Sequence, residues 1–360
     1  MKELKVLHIS ETFAAGVYTY IKDICQFLEP INGVKTYVIY SSKRKDTNPE
    51  KFERDFSTST TLIEIEMFRE ISPLKDFKAL LKIAKKIKEI KPDVIHLHSS
   101  KAGIIGRIAS KAYSKANIYY TPNGYSFVRE DISDRKKRMF RTIEKYITIY
   151  FGGVTIACGD TEYEHAKKIG ESLLVRNGVN INDVYSFKKT MPNKVFTIGT
   201  VGRLSSQKNP KLFNEIAERF PEINFIWIGD GELKHEITSK NIEIKGWMPR
   251  EKVLELVSSF DIYIQTSLWE GLPFTIIEAM VLEKPIIAKN VIGNKDAVKK
   301  GYNGFLCTSL EEFITSINIL KQNKKLTKEM EIHSGVRAKD LFDRDKNFKL
   351  LYQIYKSKLE

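Results

Sequence analysis

Cysteine is scarce in this sequence, and what there is does not form a framework. The three present, Cys25, Cys158 and Cys307, lie far apart and match no metal-ligand spacing. An odd, scattered set argues against disulfides and for a reducing compartment. No run of about 18 apolar residues occurs, which excludes a membrane-spanning helix. The opening MKELKVLHIS passes straight into a strand pattern, without the apolar core and cleavage site of a signal peptide, so a cytoplasmic location is expected. Neither a fixed-period repeat nor a low-complexity tract is found.

The chain has 360 residues, which suits two domains, and 42% hydrophobic content is enough for two cores. Its net charge of +14 fits nucleic acid, an anionic membrane surface or phosphorylated small molecules, or simply a lysine-rich proteome.

Short β-branched runs alternate with helical patterns throughout. Strands are expected at Lys5–Ser10, Lys35–Tyr40, Thr61–Glu66, Val94–His98, Asn117–Thr121, Val154–Cys158 and Leu173–Val175, and again at Val195–Val201, Asn224–Ile228, Ile242–Lys245, Ile262–Gln265 and Pro285–Ala288. Helices are expected between them, among them Leu233–Ser239, and helical sequence from Leu310 to the end. This alternation predicts an α/β protein with two doubly wound, mainly parallel sheets facing a cleft. The polar, aperiodic Asn177–Lys194 reads as the joint. We therefore expect an N-terminal domain over 1–177, a linker over 178–194, a C-terminal domain over 195–340, and a last helix over 341–360 packing back on the first domain.

Open α/β sheets bind ligands beyond the carboxyl ends of their strands, so the residues just after each strand carry the information. Glu270-Gly-Leu-Pro-Phe-Thr-Ile-Ile-Glu278 follows one strand and enters a helix, with Pro273 suited to a first turn. Backbone N–H groups after Gly271 would favour anionic or hydroxyl-rich ligands; two solvated glutamates is the plainer reading. Gly202 opens a second loop in which Arg203 and Lys208 supply a planar fork and a point charge, as a diphosphate needs; a basic surface loop is the plainer reading. Gly229-Asp230-Gly231-Glu232 and Ala14-Ala15-Gly16-Val17 are weaker, each no more than a turn if taken alone.

In this order the pieces resemble glycosyltransferase family 4. They are HLHSSKAGIIGR, YTPNGYSF, VRNGVN, VGRLSSQKNP, IGDGE, KGW and the pair Glu270 and Glu278. The resemblance implies the GT-B fold of two Rossmann-like domains, and a retaining enzyme acting on a nucleotide-sugar, UDP being the commonest nucleotide. Arg203 and Lys208 would hold the donor diphosphate, and Glu270 the hydroxyls of the transferred sugar. Gly271, Leu272, Pro273 and Phe274 would line the sugar pocket, Glu278 would bind the ribose, and Gly246, Trp247 and Met248 would flank the base. Gly16 would approach the phosphates from the other domain. No Asp-x-Asp motif stands in the expected place, so neither metal nor cofactor is expected, and the two cations would offset leaving-group charge. Where many relatives carry a histidine this chain has Asn123, which can bond a sugar hydroxyl but cannot titrate. A second departure, Gly293-Asn294-Lys295-Asp296, is expected to have a surface effect near the donor site and little more.

The same resemblance points to bacterial surface polysaccharides, O-antigen or capsule, with a lipid-diphosphate-linked or saccharide acceptor at the inner membrane face. His98, Lys101 and Arg107 are candidate acceptor contacts, although a satisfied structural role is the simpler reading of His96 and His98. Two basic amphipathic segments, Phe77–Lys91 and Arg129–Lys145, would suit an anionic membrane, although an ordinary surface helix with its apolar stripe packed on the sheet is the plainer reading of Phe77–Lys91. A nucleotide-sugar epimerase on the same fold and a non-catalytic binder are the competing readings. Nucleic acid is not an expected partner, because the sharpest cations sit in the donor loop.

Overall fold

The computed structural model describes residues 3–43, 47, 49–68, 70, 72–188 and 195–357. Residues 189–194 of the expected linker lie outside this set.

The chain divides into two compact units. The first comprises Met1–Val128, Asp134–Val175 and Lys346–Glu360, the second Arg129–Ser133 and Arg176–Asp345. Among the described residues the first holds seven strands: β1 (Leu4–Ser10), β2 (Val34–Tyr40), β3 (Thr60–Glu64), β4 (Val94–His98), β5 (Asn117–Thr121), β6 (Val154–Ala157) and β7 (Ser172–Leu174). Every pairing is parallel, in the order β3-β2-β1-β4-β5-β6-β7. The second holds β8 (Thr197–Val201), β9 (Asn224–Ile228), β10 (Ile242–Gly246), β11 (Ile262–Gln265), β12 (Ile286–Lys289) and β13 (Gly304–Cys307), also parallel, in the order β10-β9-β8-β11-β12-β13. Both sheets turn their winding direction once, between β1 and β4 and between β8 and β11. Those two turns are where a doubly wound sheet opens for a ligand.

The strands read as continuous apolar runs because both faces are covered. Leu7, Ile9, Ile95 and Leu97 pack with Ile83 and Ile87 of the helix Pro73–Ile90 in one core. Ile198, Phe225, Trp227 and Ile264 pack with Phe213 in the other. Burying each such side chain contributes roughly 1.5–3 kcal/mol.

Three sequence expectations are corrected. The stretch Leu233–Ser239 forms only a short 3-10 turn, Lys234–Glu236. The strand β13 was not anticipated. The joint contains a short helix, Ile181–Tyr185, where the Asn180 side chain accepts from the Asp183 N–H at 3.0 Å. The C-terminal helical sequence is three helices, Leu310–Gln322, Lys324–Leu341 and Arg344–Ser357. Asn323 starts the second of these, its side chain accepting from the Leu326 N–H at 3.0 Å. In the last, Phe348, Leu351 and Tyr355 are buried.

Candidate functional site

In the second unit, the loops after β8 and β11 meet at the sheet's turning point. Lys208 Nζ lies 2.7 Å from Glu270 Oε1, with side chains 18% and 9% exposed. Gln265 Nε2 donates to the same oxygen at 3.0 Å, and Gln207 Nε2 donates to Oε2 at 3.3 Å. The loops are also stitched by their main chains. Leu268 N–H donates to the Gln207 carbonyl at 2.8 Å, and the Thr266 hydroxyl donates to the Lys208 carbonyl at 2.7 Å. Lys208 and Glu270 are therefore fixed before any ligand arrives.

Below Glu270 the helix Phe274–Val281 begins directly after Pro273, with no side-chain cap and no acidic residue in its first turn. Its first N–H groups are left for an outside acceptor. Arg203 lies 3.7 Å from Glu232 and is half-exposed. Glu278 is bound to Arg250 at 3.0 Å, and Arg250 also reaches Asp183 at 2.8 Å. Gly246 has a φ of 67°, Trp247 is 68% exposed, and Met248 is half-buried. Gly202, Gly271, Leu272 and Pro273 complete the loops.

Two glycines shape these loops from behind. A Cβ on Gly229, whose φ is 131°, would stand 2.2 Å from the Gly202 carbonyl oxygen. A Cβ on Gly293, φ 83°, would stand 2.3 Å from the Gly271 carbonyl oxygen and 2.8 Å from Glu270 Cβ. Within the run from Gly293 to Asp296, Lys295 is exposed, while Asn294 is 0% exposed and Asp296 5%. The expectation of a surface effect near the donor site is corrected in part, because Gly293 packs directly against Gly271 and Glu270.

In the first unit, Asn123 follows β5 with a φ of 54° and is half-buried. Its loop is held by a residue the sequence reading passed over. Glu162 accepts from the Gly124 N–H at 2.7 Å and from the Cys158 N–H at 2.8 Å. A lone glutamate in a helix first turn gives no sequence signal for this role. Gly16 is exposed in the first turn of the helix Ala15–Leu28.

The three expected acceptor contacts are all engaged inside the unit. Arg107 is 0% exposed, lies over the Tyr120 ring at 4.2 Å, donates to the Thr148 hydroxyl at 3.0 Å, and stands 3.9 Å from Glu144. Burial raises the Glu144 carboxyl to about 7, against the pull of Arg107 and the Tyr120 hydroxyl. Lys101 is paired with Asp76 at 2.7 Å and also donates to the Glu70 carbonyl. His98 is fully buried, its Nε2 3.0 Å from His8 Nδ1. His96 meets the Tyr355 hydroxyl at 2.6 Å and the Thr121 hydroxyl at 2.8 Å. Burial lowers the pKa of His8 to about 3 and those of His96 and His98 well below the ordinary value, so all three are neutral. Arg107 and His98 are thus buried core residues of the first unit.

Comparison with known proteins agrees with this layout. The family models "Glycosyltransferase Family 4" and "Glycosyl transferases group 1" match residues 14–183 and 182–334, one after the other. The chain is a glycosyltransferase that carries a family 4 domain followed by a group 1 domain. It is 29% identical over 295 residues to the UDP-Gal:alpha-D-GlcNAc-diphosphoundecaprenol alpha-1,3-galactosyltransferase of Escherichia coli, covering 72% of this chain and 74% of that enzyme. Among solved structures, sucrose-phosphate synthase from Thermosynechococcus elongatus superposes with a TM-score of 0.83 at 16% identity, covering 99% of each chain. Anabaena HepE in complex with UDP superposes with a TM-score of 0.79 at 19% identity, covering 98% of this chain and 100% of that one. These likenesses establish the GT-B pair of Rossmann-like domains. The glycosyltransferase thus carries a paired cation and carboxylate, and an open helix start, at the turning point of its second sheet.

Proposed function

We propose that this glycosyltransferase moves a sugar, with retention and without a metal, from a UDP-sugar to a lipid-diphosphate-linked saccharide during assembly of a bacterial surface polysaccharide. The observation that carries the donor side is the Lys208–Glu270 pair at the β8/β11 turning point. A nucleotide-sugar has two chemically opposite halves near its reactive bond, an anionic diphosphate and a hydroxyl-bearing sugar. The diphosphate takes Lys208 and Arg203, and the sugar hydroxyls take Glu270, so the pair separates onto the two halves of one ligand. As the bond to the diphosphate breaks, negative charge grows where two cations are already placed. Glu278, already oriented by Arg250, accepts from ribose hydroxyls, and the open N–H groups at Phe274 serve the sugar pocket. The UDP moiety and the lipid-linked acceptor are supported by the Escherichia coli relative, whose name states both. The test is thermal stabilisation by UDP, GDP and ADP. UDP at a hundredfold excess over its Kd should add about 2.7 kcal/mol, and Arg203→Ala should abolish the gain. Stabilisation by GDP or ADP alone would reassign the base; none by any of them would defeat the reading.

The acceptor's lipid calls for a membrane-facing surface, and the first unit offers one. The helix Pro73–Ile90 buries Ala79, Ile83, Ile87 and Ile90 and leaves Leu74, Phe77 and Leu81 exposed beside its lysines. The helix Asp134–Phe151 exposes Met139, Tyr146, Ile149 and Tyr150 among Arg135, Lys136, Arg138 and Lys145. Both pack on the helix Ser100–Ser110, which places them on one face of the sheet. No described helix is long and apolar enough to cross a membrane. Apolar side chains flanked by cations suit the headgroup region of an anionic bilayer. Reversing Arg135 and Arg138 to glutamate should weaken partitioning onto anionic vesicles by at least about 10-fold, at roughly 1 kcal/mol per charge. Equal sedimentation of variant and wild type with such vesicles would remove the membrane surface from the proposal.

A further inference from the structure

The first sheet has a turning point of its own, between β1 and β4. In the second sheet the equivalent place holds Lys208 and Glu270. In the first, β1 and β4 end on the paired residues Ser10 and His98. The next residues on the two strands are Glu11 and Ser99.

Glu11 is 4% exposed. Its Oε2 accepts from the Thr12 hydroxyl at 2.8 Å, while Oε1 is buried with no hydrogen-bond partner. The Ser99 hydroxyl is also buried and unpartnered. Ser99 precedes the helix Ser100–Ser110, where a serine ordinarily caps a first-turn N–H, yet no such bond forms. Its φ of 73° is a costly conformation for a residue with a side chain. A carboxylate oxygen kept dry without a donor destabilises the fold. Two such unmet groups on adjacent strand ends, at the place where doubly wound sheets take ligands, mark a site whose donors and acceptors come from outside.

We propose that Glu11 and Ser99 form the acceptor subsite that recognises a sugar hydroxyl: Glu11 Oε1 accepts from that hydroxyl, and the Ser99 hydroxyl bonds a neighbouring sugar oxygen. The inference rests on the transferase reading and specifies which part of the acceptor this end of the sheet holds. A carboxylate takes a donor and repels a phosphate, so the group here is the acceptor's saccharide and not its diphosphate. The cations on the helix that follows Ser99 agree, since Lys101 is paired with Asp76 and Arg107 is buried against Glu144.

The experiment uses the full chain, UDP calorimetry, and transfer from a UDP-sugar to N-acetylglucosaminyl diphosphate on a short-chain lipid, with deoxy analogues of that acceptor. Glu11→Ala should raise the acceptor KM about 10- to 100-fold. The UDP Kd should not change. The thermal midpoint should stay level or rise, because an unpaired buried charge has been removed. Glu11→Gln, which keeps the shape, should move KM in the same direction by less. One deoxy acceptor should bind wild type and Glu11→Ala alike, because the lost partner is then missing from both sides. An unchanged acceptor KM in both variants would overturn the proposal, as would a variant that loses stability and UDP affinity together. A wild-type chain that binds no UDP would instead defeat the transferase reading, and this subsite with it.

Discussion

Lys208→Met should lower kcat/KM for sugar transfer by about 10²–10³-fold, the loss seen when one preplaced charge-stabilising group is removed from a transition state. The fall should appear mainly in kcat. On the proposed reading Lys208 would compensate charge that develops as the sugar–diphosphate bond breaks, and an interaction that strengthens in the transition state acts on kcat. Glu270→Gln tests the other member. It keeps the size of the side chain but only one acceptor oxygen, so it retains the bond from one of Gln207 and Gln265, sets its NH2 against the other, and loses the charge facing Lys208. Since the two groups are in contact, the double variant should lose less than the product of the single losses. Stability should move little in Lys208→Met, because the two glutamine side chains still serve the carboxylate. The readout is steady-state kinetics beside a thermal melt. A Lys208→Met enzyme within about fivefold of wild type, well short of that loss, would detach this pair from the chemistry.

Lys208 and Glu270 were each legible in the sequence because they sit in loops of unusual composition that follow strands, but their pairing was not. Nor were the supports. Gln207 and Gln265 are ordinary polar residues, and only the register of β8 against β11 brings them to one carboxylate. The alternation of strands and helices was readable for the same reason that the sheets are parallel: both faces are covered, so apolar runs are continuous. The strand β13 escaped because it has only four residues, Gly304–Cys307, behind a turn, and its pairing with β12 supplies what local propensity lacks. Charge was the least reliable guide. Arg107 and Lys101 look like phosphate ligands in a sequence, but Arg107 stacks on Tyr120 in the core and Lys101 pairs with Asp76. Conversely, Glu11 and Glu162 carry no motif, and their weight comes from burial that a sequence does not display.

Glu162 supplies the second large effect. Its carboxylate is 1% exposed and accepts two main-chain N–H groups, Gly124 after β5 and Cys158 after β6. It sits in the first turn of the helix Asp160–Ala166, where negative charge is favoured. Glu162→Ala strands both N–H groups away from water. Each bond to a charged acceptor is worth about 1.5–3 kcal/mol, so the variant should lose roughly 3–6 kcal/mol of stability in the first unit. For a domain of this size that is a fall of about 6–24 °C in its melting transition. Glu162→Gln should fall between, because its oxygen can serve one N–H while its amide NH2 faces the other. Activity should drop further than stability alone explains. The Gly124 bond is what pins the Asn123 loop in its left-handed turn, and a residue at φ 54° relaxes once its neighbour is released. Chemical denaturation followed in the first unit, with kinetics measured well below the melt, separates the two effects. A Glu162→Ala chain that unfolds with wild-type stability would mean that the two N–H groups find other partners, and that the loop is held by the β5–β6 ends themselves.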